Sequence, residues 1–225
     1  MVRGRHKPTV PSREIVRLYN LTNSVNLPAR YNIAPTQDVL VVVDDAETNM
    51  RRGEMMRRGL VPFGAKDAKI GYSLINAMAE TVAEKPAFRE AFKKRRCIVV
   101  ADGFYEWQKI GSKRKRPYLI AMKDERPFGF AGLWETWTDQ ASGETIRSCT
   151  IITTAPNAVC APIHNRMPVI LDPGDYVRWL GERPVTSNEL QEMLRPYYGK
   201  PMKATKIGPK IGNAKNEGPE LVQPA

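Results

Sequence analysis

Between Cys97 and Thr136 the chain alternates strand-length apolar segments with turn-forming breaks. Cys97–Ala101, Phe104–Ile110, Pro117–Met122 and Phe128–Thr136 read as four strands of a meander, and Gly111–Arg116 turns the second into the third. Strands this short and this closely spaced leave no room for crossover helices, so the pairing is expected to be antiparallel. Val39–Asp44, Arg57–Pro62 and Thr145–Thr154 add further strands, and Met167–Leu171 a short one. Helices are predicted at Pro11–Asn20, with Ile15, Leu18 and Tyr19 on one face, and at Pro86–Arg95, Pro173–Leu180 and Asn188–Leu194. Neither an internal repeat nor a long linker interrupts these elements. Together they predict a single α+β domain over residues 1–225, with a mainly antiparallel sheet or barrel core and peripheral helices. The polar tail Gly212–Ala225 carries Leu221 and Val222, and is expected to dock on that core.

Composition narrows the function classes. The chain is 42% hydrophobic and 26% charged, as expected of a globular rather than a disordered protein. No apolar run approaches the ~18–20 residues that cross a bilayer, and residues 1–30 contain no apolar core of a signal peptide. A cytoplasmic, nucleoid-associated location is the expectation. Cys97, Cys149 and Cys160 are sparse, odd in number and set among apolar residues, so they read as buried thiols. With two histidines and no CxxC pair, a zinc site is not expected. The net charge of +11 favours a polyanionic partner, nucleic acid above all. Charge is clustered: Arg51–Arg58 holds four arginines, Lys93–Arg96 reads KKRR, and Lys109–Arg116 holds five basic residues.

Three segments each place one reactive or hydrogen-bonding residue among apolar neighbours: INAMAET with Asn76, ADGFYEW with Glu106, and HNRMPVIL with His164. Strand alternation puts Phe104, Glu106 and Gln108 on one face and Tyr105 and Trp107 on the other. If the Glu106 face points inward, its pKa rises and it becomes a general acid near neutral pH; on a solvated edge strand it is an ordinary carboxylate. His164 follows Ala161-Pro162-Ile163 at a loop-to-strand junction, where either a catalytic or a structural imidazole fits. Asn76 alone is equally compatible with turn capping. Cys160 and His164 are four apart, but Pro162 between them disrupts any regular helix, so the spacing does not define a thiol–imidazole dyad. The sequence contains no Gly-rich phosphate loop and no GxSxG elbow.

Eight collinear stretches, covering nearly the whole chain, resemble the SOS response-associated peptidase family, also called abasic-site processing proteins. They are Gly4-Arg5, PSREIVRLY, RYNIAPTQ, GLVP at Gly59–Pro62, LINAMAETV, FREAFKKRRCIVVADGFYEW, TTAPNAVCAPIHNRMPVIL and the tail GNAKNEGPELVQP. The resemblance implies a monomer without cofactor or metal that recognises abasic sites in single-stranded DNA and bonds to them covalently, with peptidase-like self-processing and lyase activity. In that chemistry the initiator Met is removed and an N-terminal cysteine attacks the sugar aldehyde. Its α-amine forms an imine and its thiol closes a thiazolidine. An α-amine with a pKa of about 7.7–8.0 is partly neutral at cellular pH, unlike a lysine near ~10.4. By the same resemblance Asn76 positions the sugar, Glu106 shuttles protons and His164 assists ring opening and imine turnover. Arg5 and Arg166 hold phosphates, Phe63 wedges against bases, and Asn32 and Pro35 of RYNIAPTQ also contact DNA.

The chain departs from the family pattern at its start. Where Met-Cys-Gly-Arg is expected it reads Met1-Val2-Arg3-Gly4-Arg5, which places Arg3 in the cysteine slot. The available N-terminal nucleophile is then the α-amine of Val2 after Met1 removal, with no adjacent thiol. The tryptophan expected before Gly59 is Arg58, the one expected after Pro62 is replaced by Phe63-Gly64, and the arginine of the NAR motif is Met78. Three readings follow: abasic-site chemistry without thiazolidine closure, a non-covalent single-strand binder, or a native N-terminus that differs and carries the cysteine.

Overall fold

The computed structural model describes residues 4–45, 48, 50–112 and 114–225. Residues 1–3, including Val2, lie outside the described residues. The elements in chain order are β1 (Arg5–Lys7), α1 (Ser12–Tyr19), β2 (Asp38–Asp45), β3 (Met50–Arg58), β4 (Asn76–Met78), α2 (Arg89–Lys94), β5 (Arg96–Ala101), β6 (Gly103–Ile110), β7 (Arg114–Met122), β8 (Phe128–Thr138), β9 (Thr145–Thr154), β10 (Met167–Pro168), β11 (Ile170–Leu171), α3 (Tyr176–Leu180), α4 (Ser187–Met193) and β12 (Met202–Lys206). The expected α+β class with a mainly antiparallel core is what forms.

The strands make two sheets. In the larger, β9, β3, β2, β5 and β8 pair in sequence, and β8 pairs back onto β9, so these five close into a barrel. Closure leaves these strands no open edge. β10 and β4 pair with β9 on its own margins, and β11 with β8. The second sheet has the order β1-β6-β7-β12. The four-strand meander is therefore corrected: β5 and β8 belong to the barrel, while β6 and β7 form a hairpin in the other sheet. The chain changes sheets at Asp102, whose carboxylate pairs with Lys7 at 2.8 Å and accepts from the Thr9 and Val10 backbones.

β2 shows why its sequence is an unbroken apolar run. Val39, Val41 and Val43 pack with Phe104, Ile120 and Met122 of the second sheet. Leu40 and Val42 face the opposite way, into a core with Ile15 and Tyr19 of α1, Phe92 of α2 and Trp179 of α3. A strand covered on both faces needs no polar alternation. Leu18, expected on the buried face of α1, is instead exposed. The strand expected at Arg57–Pro62 ends at Arg58, because the chain turns away at Gly59. That residue has φ +124°, and a Cβ there would lie 2.5 Å from the Gly71 carbonyl; only glycine accepts both constraints. In the tail, Leu221 is buried beside Tyr105, Ile207 and Ile211.

Candidate functional site

Glu106 lies mid-strand in β6, opposite Tyr118 of β7. Its face points inward: the residue is 2% exposed. Burial raises its pKa to about 8, although the neighbouring Arg58 charge pulls in the other direction. At neutral pH the carboxyl is therefore mostly protonated and able to give a proton. Glu106 borders two spaces at once. One is a buried cavity of about 10 Å³, the other an open cleft of about 710 Å³.

The small cavity brings Glu106 together with Gly4, His6, Arg58 and Asn76. Asn76 starts β4, held by parallel pairing with Ile151 of β9. Its Oδ1 accepts a 3.0 Å hydrogen bond from Arg58 Nη2, which leaves the Asn76 amide as a donor. Arg58 ends β3 on the same face as Met56 and is 1% exposed. Its Nε and Nη1 have no hydrogen-bond partner among the described residues. Burial lowers the Arg58 pKa to about 10, and the group remains a cation at neutral pH. Among the described residues both ring nitrogens of His6 are also without partners, and burial, followed by Arg58 and Arg30, holds its pKa well below the usual range. His6 is thus a neutral wall beside a buried charge.

The cleft brings Glu106 together with His164. One wall is the β6–β7 hairpin, with Trp107, Lys109 and Lys115; the other is Ala161–Asn165. Gln108 Nε2 donates to the Pro162 carbonyl at 2.9 Å across the gap. His164 Nδ1 lies 3.0 Å from the Arg166 backbone N–H and 3.2 Å from its carbonyl, so it accepts from the first or donates to the second according to the ring's tautomer. Burial, opposed by the Arg166 bond and assisted by Lys109 and Lys115, lowers the His164 pKa. The fold thus places Asn76, Glu106 and His164, from three distant segments, around one carboxyl.

A family model described as "SOS response associated peptidase (SRAP)" matches residues 2–214. The chain belongs to the SOS response-associated peptidase family. Abasic site processing protein YoqW of Bacillus subtilis is 44% identical over 193 residues, which cover 86% of this chain and 85% of that one. Abasic site processing protein HMCES of Mus musculus is 30% identical over 231 residues, covering 87% and 65%. Among solved structures, a Bacteroides thetaiotaomicron protein superposes with a TM-score of 0.88 at 27% identity, covering 98% of this chain and 99% of that one.

The residues to which the resemblance assigns DNA contacts sit in different settings. Arg5 is 6% exposed. Its guanidinium donates to the Ile211 carbonyl and, at 3.0 Å, to the Gly212 carbonyl, and stacks over Trp107. Asn32 is fully buried and its Nδ2 donates to the Asn213 and Asn216 carbonyls at 2.9 and 3.0 Å. Both residues clasp the C-terminal tail. Arg166 forms a two-pronged ion pair with Glu80, at 2.6 and 2.9 Å, and also donates to Thr153 O; a phosphate there competes with a carboxylate. Pro35 is half-buried, in a segment whose Thr36 N–H donates to the Arg58 carbonyl at 2.8 Å. Phe63 is 72% exposed, free to stack.

Two of the three basic clusters are partly spent inside the protein, although Arg52, Lys93 and Lys94 are exposed. Arg51 pairs with Glu182 and Arg52 with Asp45, while Arg58 is internal. In KKRR, Arg95 pairs with Glu135, and Arg96 is buried against backbone carbonyls. The hairpin tip differs: Lys109, Arg114 and Lys115 are exposed, and two of them line the cleft. Arg58, Trp107, Lys109 and Lys115 were not singled out as site residues from the sequence. For Arg58 a signal existed, since it shares strand parity with buried Met56.

Proposed function

We propose that this chain processes abasic sites in single-stranded DNA, holding the lesion in the cleft beside Glu106. One observation carries the reading: a single buried carboxyl, protonated near pH 7, is shared by a cavity containing Asn76 and a cleft containing His164. Imine chemistry needs such a group, because carbinolamine formation and dehydration both move protons. The kinship with proteins named for abasic site processing supports the same substrate.

The nucleophile is an amine from the segment ahead of Gly4, the α-amine of Val2 once Met1 is removed. Residues 1–3 contain no cysteine, so the imine has no adjacent thiol to close a ring. It persists only as a reversible adduct, or resolves by hydrolysis or strand cleavage. Incubation with abasic single-stranded oligonucleotide tests this. Borohydride is expected to trap an adduct that survives denaturing electrophoresis, while untreated samples show little. Replacing Met1–Arg3 by Met-Cys is expected to give a stable adduct without borohydride. Absence of any trapped adduct, with retained binding to the oligonucleotide, favours the non-covalent binding module instead. A stable adduct on the unaltered chain means that the nucleophile is a different group.

A further inference from the structure

Arg58 is a buried cation whose surroundings do not complete it. Nη2 bonds Asn76 Oδ1, yet Nε and Nη1 find no acceptor among the described residues. Leaving buried donors of a charged group unmet is costly, and native interiors rarely tolerate it without a reason. The adjacent cavity is about 10 Å³, room for one water-sized group. A phosphate with its four oxygens does not fit; a single oxygen atom does. Gly4 lies directly against the guanidinium: a Cβ there would sit 2.4 Å from Arg58 Nη2. The backbone leading to the N-terminal amine therefore crosses immediately beside this charge. Glu106 and the Asn76 amide border the same space.

We infer that Arg58 and the Asn76 amide form an oxyanion hole that receives the aldehyde oxygen of the ring-opened abasic sugar. This rests on the imine reading above. In the step, the amine nitrogen bonds to the aldehyde carbon and the C=O π pair moves onto oxygen. That oxyanion accepts hydrogen bonds from the Arg58 donors that are otherwise unmet. Glu106 gives its proton to the oxygen, producing the carbinolamine as the nitrogen loses one proton. The Glu106 carboxylate takes that proton and returns it to the hydroxyl, the C–O bond breaks as the nitrogen lone pair forms C=N, and water leaves; the second nitrogen proton then restores the Glu106 carboxyl. Nothing is oxidised or reduced. The charge that develops on oxygen meets donors already in place, which is where fixed hydrogen bonds contribute most.

The test compares wild type, Arg58→Met and Arg58→Lys in the rate of borohydride-trapped adduct with abasic single-stranded DNA. Binding is measured in parallel on an oligonucleotide carrying a tetrahydrofuran abasic analogue, which has no aldehyde, and folding by thermal melting. Arg58→Met is expected to trap about 10²–10³-fold more slowly, with analogue affinity within about threefold of wild type. Arg58→Lys keeps the charge but loses the second donor arm, and is expected to be about tenfold slower. A wild-type trapping rate in either folded variant overturns the inference while leaving the imine reading intact. A parallel loss of analogue binding overturns it too, because Arg58 then holds DNA rather than the reacting oxygen. No adduct from wild type overturns both.

Discussion

Arg58 and Arg96 are both buried arginines, and their surroundings differ in one respect. Arg96 makes three bonds to the backbone: its Nε donates to Trp179 O at 2.5 Å, and its Nη1 to Phe92 O at 2.9 Å and Lys93 O at 2.6 Å. Those acceptors include carbonyls at the C-terminal end of α2, where a cation completes orphan groups and complements the helix dipole. Among the described residues Arg58 has one bond and two unmet nitrogens. A buried charge whose Nε and Nη1 donors are used on the backbone serves the fold. One that keeps donors unspent beside a protonated carboxyl is arranged for something that arrives later.

The largest expected effect falls on the carboxyl next to Arg58. Glu106→Gln should slow adduct trapping by about 10²–10⁴-fold while leaving affinity for single-stranded DNA nearly unchanged. Quench-flow trapping and fluorescence anisotropy measure the two separately. A matched loss of rate and affinity would make Glu106 a structural residue and would dissolve the contrast with Arg96.

Next is stability. Arg96→Met leaves three carbonyls without a donor and should cost about 3 kcal/mol. Arg58→Met should change stability by less than about 1 kcal/mol, because removing a poorly satisfied buried charge also removes its desolvation penalty. Urea denaturation checks both. If Arg58→Met costs as much as Arg96→Met, Arg58 is a fold element.

How far the sequence anticipated this contrast depends on pattern length. The long strands β2, β5, β6, β8 and β9 carry enough apolar residues for their spans to be read within a residue or two. β1, β4 and β12 are short, and β1 and β12 are charged; they exist because a partner strand offers hydrogen bonds, which no local pattern reveals. The change of sheets at Asp102 was hidden for the same reason. At the site, the inward face of Glu106 followed from strand parity once the hairpin was known to be covered. The clasp of the tail by Arg5 and Asn32 joins residues about 180–207 positions apart, and composition alone reads such an arginine as a surface charge. In KKRR the two lysines are exposed but Arg96 is spent on carbonyls, which a sequence does not display.

The pH dependence of stability separates the two regions further. The Glu106 pKa is raised from 4.5 to about 8 in the folded chain. Between those values the folded protein keeps a proton that the unfolded chain releases, so this group's stabilising contribution is full below about pH 4.5 and is lost as pH rises through about 8. Glu106→Gln removes that slope. The difference in unfolding free energy between wild type and variant should shift by on the order of 4 kcal/mol between pH 5 and 9, with the variant gaining at alkaline pH. Arg96→Gln should leave the slope as it is. An unchanged slope in Glu106→Gln would mean that the carboxyl is solvated and not poised as an acid.

The smallest effect concerns charges outside both regions. Only cations that reach phosphates release counterions, so the salt dependence of DNA binding counts exposed contacts and ignores buried ones. Lys109 and Lys115 line the open cleft and are exposed, whereas Arg58 and Arg96 are 1% and 8% exposed. Replacing both lysines by Gln should lower the slope of log affinity against log salt by about 1.4, roughly 0.7 for each single-strand phosphate contact. Arg58→Met should leave that slope unaltered, even though it also removes one positive charge. Fluorescence anisotropy titrations from low to moderate salt distinguish the two. Equal slope changes for the lysine pair and for Arg58 would mean that the guanidinium reaches the DNA backbone. The cavity would then open on binding far enough to admit a phosphate, and the single-oxygen hole would not survive.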